Sequence, residues 1–224
     1  MSQYKLLVFD WDGTLSNSLG HIVLAMQEAI RTLALNQLPE EDILNIIGLG
    51  LDEAILTLYP ELSRQLRQML GEAYREHYRV IADTSPPLYP HAEETIHGLH
   101  AQGYYLAIAT GKSRRGLDRA LADSGLRDCF HLSRCAEEVF SKPHPGMLEE
   151  IMATLDTTAQ QTLMIGDTEH DLQMANNAKV ASVAVNYGAH DIRRLLELNP
   201  VHSISNLKEL SAWLAGKTDP ISVE

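Results

Sequence analysis

Short apolar runs separated by longer helical stretches recur along this chain, and that alternation limits what it can fold into. Strand-like runs occupy residues 5–9, 104–109, 162–165, 181–185 and 201–204, with a weaker one around 129–132. Helical patterns fill the gaps at residues 91–101, 114–124, 146–155, 171–178 and 207–214. Parallel strands need crossover connections, which helices of this length supply, so the pattern predicts an α/β fold with a doubly wound parallel sheet. At 224 residues and 45% hydrophobic composition, the chain has enough apolar surface for one large domain or two smaller ones.

The stretch 16–83 breaks the rhythm with helical periodicity and no convincing strand. Ile22, Ala25, Met26, Ala29, Ile30 and Leu33 share one face of a helix. Ile43, Leu44 and Ile47 follow Pro39 and the acidic Glu40, Glu41 and Asp42, while Leu66, Met69, Leu70 and Ala73 mark another helix. Residues 14–18 and 83–87 read as paired linkers around an inserted helical unit, which divides the chain into a core of residues 1–15 and 84–224 and an insertion of residues 16–83. The insertion is either a lid that closes over a site to exclude water or a fixed helical subdomain.

Charge narrows the partners. A net charge of -12 and a pI near 5.2 disfavour general binding to nucleic acids or membrane surfaces, both polyanionic, so an anionic ligand must be held by local cations. Cys129 and Cys135 form neither a CxxC pair nor a disulfide framework. The apolar run at the N-terminus is too short for a signal-peptide core or a membrane span. The expectation is a cytoplasmic protein, with monomer and homodimer both open.

Four motifs stand where strands should end. Asp10-Trp11-Asp12-Gly13-Thr14 places two carboxylates after Leu6-Leu7-Val8-Phe9, at the edge where ligands gather in open α/β sheets. Ala109-Thr110-Gly111-Lys112 offers a hydroxyl and a free backbone N–H for a phosphoryl oxygen. Ser141-Lys142-Pro143-His144-Pro145-Gly146 fixes a cation within a restricted backbone. Gly166-Asp167-Thr168-Glu169-His170-Asp171 brings two more acids, suited to a hard cation such as magnesium. Each is also ordinary turn chemistry by itself, and Asp171 is equally placed to cap the following helix.

Taken together and in this order, Asp-x-Asp-Gly-Thr, Thr-Gly, Lys-Pro-x-Pro and Gly-Asp-x-x-x-Asp resemble the haloacid dehalogenase superfamily, most closely its phosphoglycolate phosphatase-like branch. The resemblance covers most of the chain and implies a Rossmann-like core with a helical cap inserted after the first motif. It implies hydrolysis of a small phosphorylated metabolite, with 2-phosphoglycolate the favoured substrate, through an aspartyl phosphate on Asp10. Asp12 would be the proton shuttle; Thr110, Gly111 and Lys142 would hold the phosphoryl group. Mg2+ would be bound by Asp10, the Asp12 backbone carbonyl and Asp167, with Asp171 ligating or orienting.

Gly146 and Trp11 depart from the commonest family residues without removing a reactive group, and Trp11 is expected to pack rather than stack on substrate. Within the insertion, Gly48-Leu49-Gly50 is either the loop that reaches the site or a helix terminator. Arg31, Arg64, Arg67, Arg75 and Arg79 are candidate contacts for a carboxylate or second phosphate. Asp12 argues against dehalogenation, which needs no leaving-group acid. No Lys lies between Lys5 and Lys112, which removes the Schiff-base amine of a phosphonatase. A sugar phosphomutase remains the enzymatic alternative; a receiver-like phosphorylation switch and a non-catalytic binding protein are the others.

Overall fold

In the computed structural model, residues 3–83 and 85–216 are described. Six parallel strands, β1 (Leu6–Phe9), β2 (Tyr105–Thr110), β3 (Leu132–Cys135), β4 (Thr162–Gly166), β5 (Ala181–Val185) and β6 (His202–Ile204), form one sheet in the order β3-β2-β1-β4-β5-β6. The α/β expectation is met. β1 lies at the centre, with Phe9 level with Ile108 of β2 and with Ile165 of β4.

Alternation along the strands feeds two apolar layers. Leu7 and Phe9 join Leu106, Ile108, Leu163, Ile165, Val183 and Val185 on one face. That face is covered by α5 (Ala92–Ala101), α6 (Arg114–Ser124) and α10 (Leu207–Leu214). Leu6, Val8, Ala107, Ala109 and Met164 point the other way, beneath α7 (Gly146–Thr154) and α8 (Glu169–Asn177). A shorter α9 (Ile192–Leu196), not anticipated from the sequence, buries Leu195 against Leu172 and Ala184.

The weak strand expected at 129–132 is displaced. Residues Arg127–Cys129 form a 3₁₀ turn that buries Cys129, and pairing with β2 begins at Leu132. Helix α8 begins at Glu169 because Thr168 caps it and Asp171 closes the reciprocal bond of a capping box.

Between β1 and β2 the chain forms α1 (Leu19–Thr32), α2 (Glu40–Asn45), α3 (Leu51–Leu58) and α4 (Arg64–Ile81). Val23, Met26, Ala29, Ile30, Ile43, Ile55 and Leu70 form an apolar cluster of their own there. The connecting segments run side by side: Ser16 bridges Leu88, and the Asn17 and Tyr89 amides donate to the Pro87 and Leu15 carbonyls, each at 2.9 Å. Thr84, in the expected second linker, lies outside the described residues, as do 1–2 and 217–224 of the expected core. Among the described residues no helix is long and apolar enough to cross a membrane.

Candidate active site

Parallel strands in register deliver all four motifs to one edge of the sheet. The Asp10 amide donates to the Ile165 carbonyl at 2.9 Å, which sets Asp10 beside the end of β4 and within the same edge as Thr110 and Asp167. Asp10, Thr110, Lys142, Asp167 and Asp171 are all buried there.

Lys142 bridges two acids: its Nζ lies 2.6 Å from Asp10 Oδ1 and 2.6 Å from Asp171 Oδ1. Burial alone would lower the Lys142 pKa, but the Asp10 and Asp171 carboxylates more than offset it, so the ammonium keeps its proton above the usual range. For Asp10 the balance runs the other way. Burial raises its pKa, Lys142 opposes, and Asp171 and Asp167 add repulsion, leaving it well above an ordinary carboxyl.

Asp167 is set by two loops. Its Oδ1 accepts from the Thr14 hydroxyl at 2.7 Å and its Oδ2 from the Ala189 amide at 2.8 Å. Burial, then the Asp171 charge, pushes its pKa up to about 7 against the pull of those donors. Gly13 permits the approach: its φ is +89°, and a Cβ there would meet Asp167 Oδ2 at 2.2 Å. The Tyr187 hydroxyl pins the same turn by donating to the Thr14 carbonyl at 3.0 Å.

Asp10, Asp167 and Asp171 present carboxylate oxygens within 4.8 Å of one another, and Asp10 Oδ2 is buried with no hydrogen-bond partner. Raised carboxyl pKa values, an orphaned oxygen and an all-oxygen donor set are what a hard divalent cation would resolve. Asp171 serves the helix start as the third residue of the Thr168 capping box. Its Oδ2 accepts from the Thr168 amide at 3.1 Å and hydroxyl at 2.7 Å as a cap, while Oδ1 faces Lys142.

The Asp12 side chain turns away from this cluster. Its Oδ1 accepts from Ser18 Oγ at 2.7 Å, and Lys112 Nζ donates to Oδ1 and Oδ2 at 2.8 and 2.9 Å. Lys112, to which the sequence motif assigns no role, crosses from the end of β2 to the second acid of the turn after β1. The available sequence signal was its position two residues after Thr110.

Above this edge lies a cavity of about 1230 Å³, walled by Asp10, Asp12, Thr110, Gly111 and Lys112 below and by the insertion above, including Tyr74 and Tyr78. Gly48-Leu49-Gly50 is the loop that reaches the site. The Gly50 amide donates to Ser141 Oγ at 2.7 Å, next to Lys142. Nearby, His170 Nε2 donates to the Asn45 carbonyl at 3.1 Å and Arg194 Nη1 to Asn45 Oδ1 at 2.6 Å, contacts invisible to the sequence motifs. Of the five arginines singled out in the insertion, Arg75 and Arg79 line the cavity and Arg31, Arg64 and Arg67 do not. Trp11 is 2% exposed and packs in the core while one part of it reaches the cavity.

Gly111 sets how closely the loop can approach. A Cβ at this position would lie 2.3 Å from the Leu49 carbonyl oxygen and 2.7 Å from that of Gly48, so Gly111→Ala must push backbone from backbone. We expect kcat/KM to fall on the order of 10²-fold, since small displacements of positioning groups are costly. Steady-state turnover checks this, and an unchanged kcat/KM would contradict a functional role for the contact.

A family model for haloacid dehalogenase-like hydrolases matches residues 7–185. A phosphoglycolate phosphatase of Vibrio parahaemolyticus is 29% identical over 215 residues, covering 92% of this chain and 94% of its own. The corresponding protein of Vibrio vulnificus is 31% identical over 195 residues, covering 83% and 85%. A crystal structure from Haemophilus somnus 129pt, described as a predicted phosphoglycolate phosphatase, superposes with a TM-score of 0.86 at 26% identity, covering 95% of this chain and 99% of that one. With the matching model spanning the sheet edge, all four motifs and the helical insertion, the chain belongs to the haloacid dehalogenase-like hydrolase family.

Proposed function

We propose that the protein is a magnesium-dependent phosphomonoesterase acting on a small phosphorylated metabolite, with 2-phosphoglycolate the first substrate to assay. The observation that carries this is Asp10: a buried carboxylate gripped by Lys142, with one oxygen unpartnered beside Asp167 and Asp171, at the floor of a cavity. The names of the Vibrio relatives support the substrate. A cytoplasmic location fits Cys129 and Cys135, both free thiols.

In this reading an Asp10 oxygen attacks phosphorus in line, the ester P–O bond breaks, and Asp12 gives its proton to the departing oxygen. Asp12 then takes a proton from a water that attacks the aspartyl phosphate, which frees inorganic phosphate and restores Asp10. Thr110 and the Gly111 amide hold the phosphoryl oxygens and Lys142 offsets their charge. Asp10, Asp167 and the Asp12 carbonyl would hold the magnesium ion, which when bound draws charge from the phosphoryl oxygens. Asp171, already bonded to Thr168 and facing Lys142, orients the site. Residues 16–83 act as a cap whose loop at Gly48–Gly50 and tyrosines enclose the leaving group.

Phosphate release from phosphoglycolate, sugar phosphates, nucleotides and pyrophosphate, with and without magnesium, tests the reading. Turnover of a monoester that stops on chelation is expected. Isomerisation of a sugar phosphate without net phosphate release would favour a mutase instead.

Metal binding also has a pH signature. Asp167 carries its proton up to about pH 7 in the folded protein, against 3.8 for an ordinary carboxyl. The folded state therefore binds more protons than the unfolded one in that window, and the metal-free protein loses stability as pH rises through it. A cation replaces the proton, so saturating magnesium should raise Tm more at pH 8 than at pH 5. Equal increments at both pH values would contradict the assignment.

A further inference from the structure

We propose that Lys112 is the residue that selects the leaving group, by binding a carboxylate carried on the carbon next to the ester oxygen. This deepens the phosphatase reading and rests on it. The cations lining the cavity are Arg75, Arg79, Lys112, Arg115 and Arg119. All four arginines are exposed, whereas the Lys112 side chain keeps only 12% of its surface. Arg79 is paired with Glu76 at 2.7 Å, and Arg119 donates to the Ala82 and Asp83 carbonyls at 3.1 and 2.8 Å. Lys112 is thus the enclosed cation of this wall, carried by the core rather than by the insertion.

Its place follows from Asp12. In the reaction proposed above, Asp12 meets the ester oxygen at hydrogen-bond distance. An ammonium 2.8 and 2.9 Å from the two Asp12 oxygens then stands beside whatever the next carbon bears. Two of its N–H donors converge on one carboxylate, so when an Asp12 oxygen turns to the ester oxygen a donor is released for substrate. The third direction is closed by the insertion: Lys112 lies 3.4 Å from the Tyr78 hydroxyl and 5.1 Å from the centre of its ring. Tyr78 thereby restricts the ammonium to the Asp12 side, and a carboxylate there would be met by one enclosed charge with little competing water. A neutral leaving group of the same size gains nothing from it.

The test compares 2-phosphoglycolate with ethyl phosphate, which has a two-carbon leaving group and no carboxylate, in magnesium-loaded wild-type protein and in Lys112→Met. The wild type should favour phosphoglycolate by about 100-fold in kcat/KM, and the variant should lose at least about tenfold of that preference. Lys112→Arg, which keeps the charge, should retain more of the preference than Met, and Tyr78→Phe serves as a second variant should Met fail to fold, with a smaller loss of preference. Wild type without preference, or variants in which both substrates fall by the same factor, would overturn the proposal and leave the phosphatase reading intact. No phosphate release from any monoester by the wild type would overturn both.

Discussion

Asp10→Asn should abolish phosphate release, lowering kcat by at least about 10⁴-fold, because the amide has no charge to direct at phosphorus and the two-step route depends on that attack. The fold should survive. Asn keeps the shape of Asp, its oxygen can still accept from Lys142 Nζ at the position now 2.6 Å away, and its neutrality relieves repulsion from Asp171 and Asp167. A folded variant, judged by circular dichroism, with no phosphate released from its best substrate is the expected result. Retention of even a tenth of wild-type kcat would remove Asp10 from the reaction.

Lys142→Met should damage both activity and stability. Lys142 is fully enclosed and joins Asp10 to Asp171, so methionine fills much of its volume but leaves two buried acids without their cation. Breaking a buried pair in this way costs about 3–5 kcal/mol, more than its formation is worth, because an uncompensated charge remains. Without the Lys142 charge that opposes it, Asp10 holds its proton to still higher pH, which neutralises the nucleophile, and kcat should fall by about 10³-fold or more. Urea unfolding and phosphate release measure the two effects separately. A variant as stable as wild type would show that the acids do not rely on Lys142.

Much of the site was legible because chemistry and strand ends coincide. Leu6-Leu7-Val8-Phe9 and Leu163-Met164-Ile165 read as buried strands, and parallel pairing in register carries the acids that follow them to one edge. The helices expected at 114–124 and 207–214 have those bounds in the structure, where the Ser113 and Asn206 side chains cap them. What escaped was what depends on distant chain segments meeting. β3 was misplaced because a buried Cys129 in a 3₁₀ turn looks apolar in the same way as a strand. Lys112 has no role in the motif reading because its partners, Asp12 and Tyr78, lie 100 and 34 residues away in the chain. The docking of Gly50 on Ser141 and of Asn45 on His170 has no periodic signal, because each joins elements far apart in sequence through a single bond.

The central claim is a covalent phosphoryl group on Asp10. Borohydride reduces acyl phosphates, so a protein quenched with it during turnover of phosphoglycolate and magnesium should yield homoserine at position 10 in peptide mass spectrometry. The account predicts that modification at Asp10, dependent on both substrate and metal and absent from Asp12, Asp167 and Asp171. Continued phosphate release with no reducible acyl group at Asp10, or with one at another acid, would contradict it.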